Sequence, residues 1–248
     1  MSILLQSVTK SYQAKIIFQD ITLSCERGQL LGLIGPSGSG KSTLAKCIVG
    51  LERVDSGVIS VLGHRLDHTT DPHSSVVYEV RRKTSYVLQN VPFLPYKKID
   101  QAISLPLLVT HNTQNKLLLG KISELAKLLQ ITHVLDKYPY QLSGGERARA
   151  ALLRSIIHDP AFLIIDEVTS GVDPVLAGEI ASFLQTFTSR GMGIILISHQ
   201  IDFIRRNASH VYFLNHCSIQ EHGVASKVLD DPQTEELKSF IRLVRKGW

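Results

Sequence analysis

A chain of 248 residues can bury one substantial core, or one core with a smaller attached lobe. Hydrophobic residues at 44% and charged residues at 20% exclude wholesale disorder, and a formal charge of +5 suits an anionic ligand or a membrane surface without requiring either. No run approaches the roughly 18 uninterrupted apolar residues of a membrane span, residues 1–12 lack the pattern of a secretory signal, and Cys25, Cys47 and Cys217 are too scattered for a disulfide framework or a zinc site.

The chain opens with β-rich runs at residues 3–8, 16–24 and 30–34, the last leading directly into a glycine-rich loop. Apolar residues then recur at helical spacing over residues 43–49, Gly50 closes that helix, and residues 57–62 resume as a strand. Asp, His, Thr, Pro and Ser fill residues 66–75 as an exposed loop, after which residues 82–88 read as a strand. Pro92, Pro95 and Pro106 break the pattern, and residues 116–130 carry a Leu-rich helical spacing. Residues 92–158 are therefore expected to form an inserted helical lobe, with 1–91 and 159–248 making the α/β core. Alternation returns with a strand at 162–165, a helix at 174–189, a strand at 193–198 and a helix at 201–207, which implies a largely parallel sheet covered on both faces. Residues 210–214 and 218–221 read as closing strands. In the tail, Leu237, Phe240, Ile241 and Val244 share one helical face that should dock on the core.

The strongest local signal is Gly35-Pro36-Ser37-Gly38-Ser39-Gly40-Lys41-Ser42, a full match to GxxxxGK[ST] between a strand and a helix. Glycines let the backbone approach a phosphate chain, successive N–H groups and the helix N-terminus face the anion, Lys41 adds a cation, and Ser42 offers a hydroxyl to Mg²⁺. Downstream, Phe162 to Ile165 is an apolar run ending in Asp166 and Glu167, where a parallel sheet presents chemistry at its carboxyl edge. Taken alone this is equally a strand end with solvated charges. Beside a phosphate loop, Asp166 can hold a magnesium shell and Glu167 can polarise an attacking water. Leu142-Ser143-Gly144-Gly145-Glu146 opens a helix, and places Ser143 and two glycine amides at a positive helix end. The same residues also read as a simple capping box from Ser143 to Glu146.

These three segments, in this order and spacing, resemble the ATP-binding cassette (ABC) family over nearly the whole chain. The resemblance implies an α/β fold: a P-loop ATPase core with a mixed or parallel sheet, an N-terminal antiparallel β part and an inserted α-helical subdomain. It implies ATP and Mg²⁺ as ligands and an ATP-binding set of Tyr12, Gly35, Pro36, Ser37, Gly38, Ser39, Gly40, Lys41, Ser42, Thr43 and Gln89. Tyr12 matches the aromatic that stacks on adenine, Gln89 the glutamine joining the magnesium site to the helical lobe, and His199 the switch histidine at the terminal phosphate. Glu167, His199 and Lys41 form the catalytic set; Ser42, Gln89 and Asp166 form the metal set. Two cassettes, identical or different, are implied to pair head to tail, so that Leu142, Ser143, Gly144, Gly145 and Glu146 meet ATP on the partner subunit, with residues 170–173 sensing that partner.

Three departures stand out: Glu146 where the family usually has glutamine, Val168 where it has proline, and Gly171-Val172 for a small residue and leucine. None removes a charged catalytic group, but a carboxylate near phosphate implies weaker ATP capture by like-charge repulsion. His64, His68 and His73 with Asp67 and Asp71 sit in one loop, and no metal is expected there. Arg81-Arg82-Lys83, Gly50-Leu51-Glu52 and Tyr138-Pro139-Tyr140-Gln141 resemble cassettes of polar amino-acid importers. That resemblance implies a peripheral subunit on the cytoplasmic face of a membrane, working with an integral permease and an extracytoplasmic solute-binding protein, and coupling through residues 89–99. Lipid or lipoprotein transport shares every catalytic motif. A nucleic-acid or ribosome-acting ATPase is disfavoured by a single cassette without sustained heptads, so no direct nucleic-acid contact is expected.

Overall fold

The computed structural model describes residues 1–88, 93–110, 115–167 and 174–246. It begins with β1 (Ser2–Tyr12) and β2 (Lys15–Glu26), an antiparallel pair that buries Ile3, Leu5, Val8, Phe18, Ile21, Leu23 and Cys25, with a shift of register after Leu5. β4 (Ser56–Val61) and β5 (His64–Leu66) complete a four-stranded antiparallel sheet in the order β2-β1-β4-β5. The second sheet has six strands. Its order is β10 (Ser218–Val224), β9 (His210–Asn215), β3 (Leu30–Ile34), β8 (Gly193–Ile197), β7 (Phe162–Asp166) and β6 (Thr84–Val87), parallel from β9 to β6 and antiparallel only at the β10 edge.

Alternation along the buried strands assigns each residue to one of two cores. Phe162 and Ile164 of β7, Ile195 and Ile197 of β8, and Leu31 and Leu33 of β3 face α1 (Lys41–Ile48) and the antiparallel sheet. Leu163, Ile165, Ile194 and Leu196 face the other side, in one continuous apolar cluster with Ile99 and Ile103 of α3 (Ile99–Thr110), Ile122 and Leu125 of α4 (Asn115–Leu128), and Leu152 and Leu153 of α5 (Gly144–Ile156). Each such fully buried Leu, Ile or Phe contributes about 1.5–3 kcal/mol, so the central sheet is held from both faces. The same far cluster takes in α6 (Pro174–Ser189), α7 (Ile201–Asn207), α8 (Ala225–Asp230) and α9 (Glu235–Lys246) through Phe183, Ile204, Val228 and Leu237. In α9, Leu237, Phe240 and Ile241 are buried and Val244 packs beside them, so the tail docks on the core as its spacing implies.

Two expectations need correction. Residues 82–83 are not strand: they end α2 (Ser75–Lys83), and β6 begins only at Thr84. Ser74 caps that helix by accepting from Val77 N–H, and Val77 and Val80, one turn apart, are its buried face; this outweighs the β preference of the residues that follow. Pro106 does not interrupt the chain either, for α3 runs through it. Burial of Ile99, Ala102, Ile103 and Leu107 outweighs the one backbone bond a helical proline forgoes. The thiols of Cys25 and Cys47 are buried and pushed up to about 12, chiefly by desolvation, which leaves both unreactive.

Candidate functional site

β3, β8 and β7 are neighbours in the sheet, so their carboxyl ends open side by side. From β3 the chain turns through Gly35–Gly40 into α1. At Gly35 the backbone has φ +154°, and an added Cβ would lie 2.1 Å from the Leu214 carbonyl oxygen, so this corner admits glycine alone. Gly40 stands at the N-cap with φ +100° and supplies no side-chain cap, which leaves the first amides of α1 to the loop. Lys41 is 5% exposed and turns back over the loop: its Nζ donates to Gly35 O at 2.9 Å, Pro36 O at 2.7 Å and Ser39 Oγ at 3.3 Å. Burial lowers its pKa, opposed by the negative charges of Glu167 and Asp166. Ser37 and Ser42 lie exposed at the rim.

On β7, Asp166 is 6% exposed, and its Oδ2 accepts a hydrogen bond from the Tyr86 hydroxyl at 2.8 Å. Burial, then the hydrogen bond to Asp166, raises the Tyr86 pKa well above the usual phenol value, which keeps it a donor. Glu167 follows in the left-handed region at φ +55°, uncommon for a residue with a side chain, with its N–H bonded to Ile197 O at 3.0 Å. That turn swings its carboxylate out of the strand and into contact with His199, Nε2 against Oε1, just beyond β8. The structure thus gathers Lys41, Asp166, Glu167 and His199 at one edge.

Tyr12 ends β1 as an exposed residue, its hydroxyl bonded to Glu52 and Lys10 Nζ lying 5.0 Å from the ring centre. Leu142–Glu146 occupy the start of α5. There the capping box is complete: Ser143 Oγ accepts from Glu146 N–H at 3.2 Å, and Ser143 N–H donates to Glu146 Oε2 at 2.8 Å. The second oxygen of Glu146 meets His133 Nε2 at 2.8 Å. These contacts, the Ser143 amide first, hold the carboxyl at about 2. No hydrogen bond or ion pair among the described residues joins this segment to Lys41, Asp166 or Glu167. Gln89, Val168 and residues 170–173 lie outside the described residues.

A profile of the ABC transporter family matches residues 18–170. The chain belongs to that family. Among similar proteins, the methionine import ATP-binding protein MetN of Brucella abortus (strain 2308) is 34% identical over 244 residues, which is 97% of this chain and 64% of that relative. The arginine transport ATP-binding protein ArtP of Escherichia coli (strain K12) is 31% identical over 242 residues, 97% of this chain and 99% of ArtP. The ABC chain therefore spans just under two thirds of the methionine-import relative. Its fold is shared with an ATP binding subunit of an ABC transporter at TM-score 0.83, with 20% identity over 98% of this chain and 100% of the other. It is also shared with a dimeric ATP-binding cassette bound to ADP and Pi at TM-score 0.82, with 22% identity over 90% and 98%.

In this ABC cassette the Ser42 hydroxyl and the Asp166 carboxylate are hard oxygen donors, the chemistry that suits Mg²⁺ beside a phosphate. Among the described residues, no cluster of three or more His, Cys, Asp or Glu side chains is placed to hold a metal; in the His-rich loop, Asp67 bonds to Thr69, Thr70 and Arg65. Sequence reasoning missed two partners, Tyr86 and His133. A tyrosine on an edge strand reads only as a good β-former, and a histidine in the short turn at Thr132–Val134 carries no local motif.

Proposed function

We propose that this ABC chain binds Mg-ATP and hydrolyses it as the energy subunit of an amino-acid importer. The observation that carries the reading is the convergence of Lys41, Asp166, Glu167 and His199 at the carboxyl edge of β3, β8 and β7, beside a phosphate loop. The loop amides and Lys41 bind the phosphate chain, with Tyr12 presenting a ring to the adenine. Glu167 orients water through a carboxylate carried outside the strand, and His199 fixes that carboxylate by direct contact. When bound with ATP at Ser42, Asp166 and Gln89, magnesium supplies charge neutralisation along the phosphates.

The segment Leu142–Glu146, with no hydrogen bond or ion pair to Lys41, Asp166 or Glu167 among the described residues, serves the nucleotide on a paired cassette. No described helix is long and apolar enough to cross a membrane, which fits a peripheral subunit working on a permease. Leu94 and Tyr96, within the segment assigned to coupling, are exposed at 39% and 70%. The relatives named for methionine import and arginine transport support amino acids as the cargo; in this reading a solute-binding protein delivers them to the permease.

The test is to purify the tagged chain from gently solubilised membranes, reconstitute it in vesicles with the multi-span protein that accompanies it, and measure ATP-driven uptake of labelled amino acids. Uptake that depends on ATP and stops with Lys41→Ala is expected. Copurification with ribosomal or nucleic-acid components, and none with a membrane protein, would overturn the importer reading.

A further inference from the structure

We infer that Tyr86 is a positioning residue of the nucleotide site: its hydroxyl holds the Asp166 carboxylate in the orientation that the magnesium shell requires. The inference rests on the proposed role of Asp166. Three independent observations carry it.

First, the register places the two residues on one face. Tyr86 pairs with Ile164 across the parallel β6–β7 ladder. Directly opposed residues point the same way, and Asp166 lies two residues further along, again on that face. The ring therefore runs beneath the site along the strand direction. Second, it is anchored there: Tyr86 packs against the buried cluster that includes Phe162, Ile164 and the α1 residues Leu44 and Ile48. A ring held in this way brings its hydroxyl to one fixed point, and that point is 2.8 Å from Asp166 Oδ2. Third, Asp166 is almost fully enclosed, so water cannot readily substitute for a lost donor.

A carboxylate is free to rotate about its last bond unless a partner fixes it, and losing a partner that orients a metal-holding side chain typically costs about 10–100-fold in metal affinity. The phenol bond to Oδ2 fixes the plane of the carboxylate and with it the direction of Oδ1. Tyr86 touches neither nucleotide nor reacting water in this arrangement; it acts through Asp166.

The experiment compares Tyr86→Phe and Tyr86→Met in the Glu167→Gln background, where ATP is not consumed. Mn²⁺ binding in the presence of ATP is followed by electron paramagnetic resonance, and ATP binding in excess chelator is measured separately. Both variants should bind Mn²⁺ about 10-fold or more weakly while metal-free ATP affinity stays within two-fold, since both lack the hydroxyl and keep an apolar side chain. Mn²⁺ affinity within two-fold of the parent in either variant that still binds ATP would overturn the role. So would loss of metal-free ATP binding in both, which would make Tyr86 a packing residue. Asp166→Asn, measured alongside, separates the two readings. If it leaves Mn²⁺ affinity unchanged, the magnesium assignment itself fails. If it weakens Mn²⁺ binding while the tyrosine variants do not, only the positioning role fails.

Discussion

Lys41→Met removes the ammonium group but keeps most of the aliphatic stem, so it separates the role of the charge from that of packing. Without nucleotide, Lys41 Nζ makes three hydrogen bonds to the loop, two of them to backbone carbonyls. Hydrogen bonds to a charged group contribute about 1.5–3 kcal/mol each. An enclosed ammonium carries a desolvation cost of several kcal/mol, seen here as the lowered pKa. The two effects largely cancel, and the melting temperature of the nucleotide-free variant should move by only a few degrees, about 2–4 °C per kcal/mol in a chain of this size. With ATP the balance is different. One ammonium beside a phosphate charge, at about 4 Å and an effective dielectric near 20, contributes about 4 kcal/mol, enough for a 100-fold loss of affinity. At an ATP concentration of about 100 Kd the parent gains about 2.7 kcal/mol, a rise of about 5–11 °C. A 100-fold weaker variant gains about 0.4 kcal/mol, a rise of about 1–2 °C. Thermal unfolding with and without ATP reads the difference. A methionine variant whose melting temperature still rises as far as the parent's would refute the placing of the phosphates beside Lys41.

Glu167→Gln should retain ATP binding, lower hydrolysis at least about 100-fold and trap a nucleotide-bound dimer detectable by light scattering; full hydrolysis would remove Glu167 from its role. Gly35→Ala, which sets a methyl group against the Leu214 carbonyl, should destabilise the fold by about 2–4 kcal/mol and abolish ATP binding. Glu146→Gln keeps an oxygen for the Ser143 amide but loses the charge, and should raise ATPase turnover if repulsion at the paired site matters; an unchanged rate would dispose of that idea. The same variant has a pH signature. The Glu146 carboxyl is lowered from 4.5 to about 2, so its charge stabilises the fold fully above about pH 4.5, and the advantage is lost as pH falls through about 2. The melting-temperature difference between parent and glutamine variant should therefore be level above about pH 4.5 and shrink below it.

The phosphate loop and the acidic end of β7 were legible because their chemistry is local. Glycines, a lysine and an apolar run ending in carboxylates are contiguous, and the parallel sheet sets them edge to edge. Where tertiary partners decide, the reading weakened. Lys83 and Thr84 are adjacent in sequence, yet one ends a helix and the other starts a strand, and only burial of Val77 and Val80 shows where the boundary falls. Tyr86 meets Asp166 across 80 residues of sequence, and no period or motif announces it. The capping box from Ser143 to Glu146 was legible as the phosphate loop was, but the contact of Glu146 with His133 was not, for it is set by how the chain after α4 returns toward α5.

The inserted helices share a single apolar cluster with the back of the central sheet, and this bears on how the molecule opens. Ile103 of α3, Ile122 of α4 and Leu152 of α5 belong to the same buried cluster as Leu163 and Ile165 of β7. The inserted helices and the sheet therefore share one interior. Backbone amides in α5 and β7 should consequently exchange with deuterated solvent at closely matched slow rates, released together in one cooperative event rather than lobe by lobe.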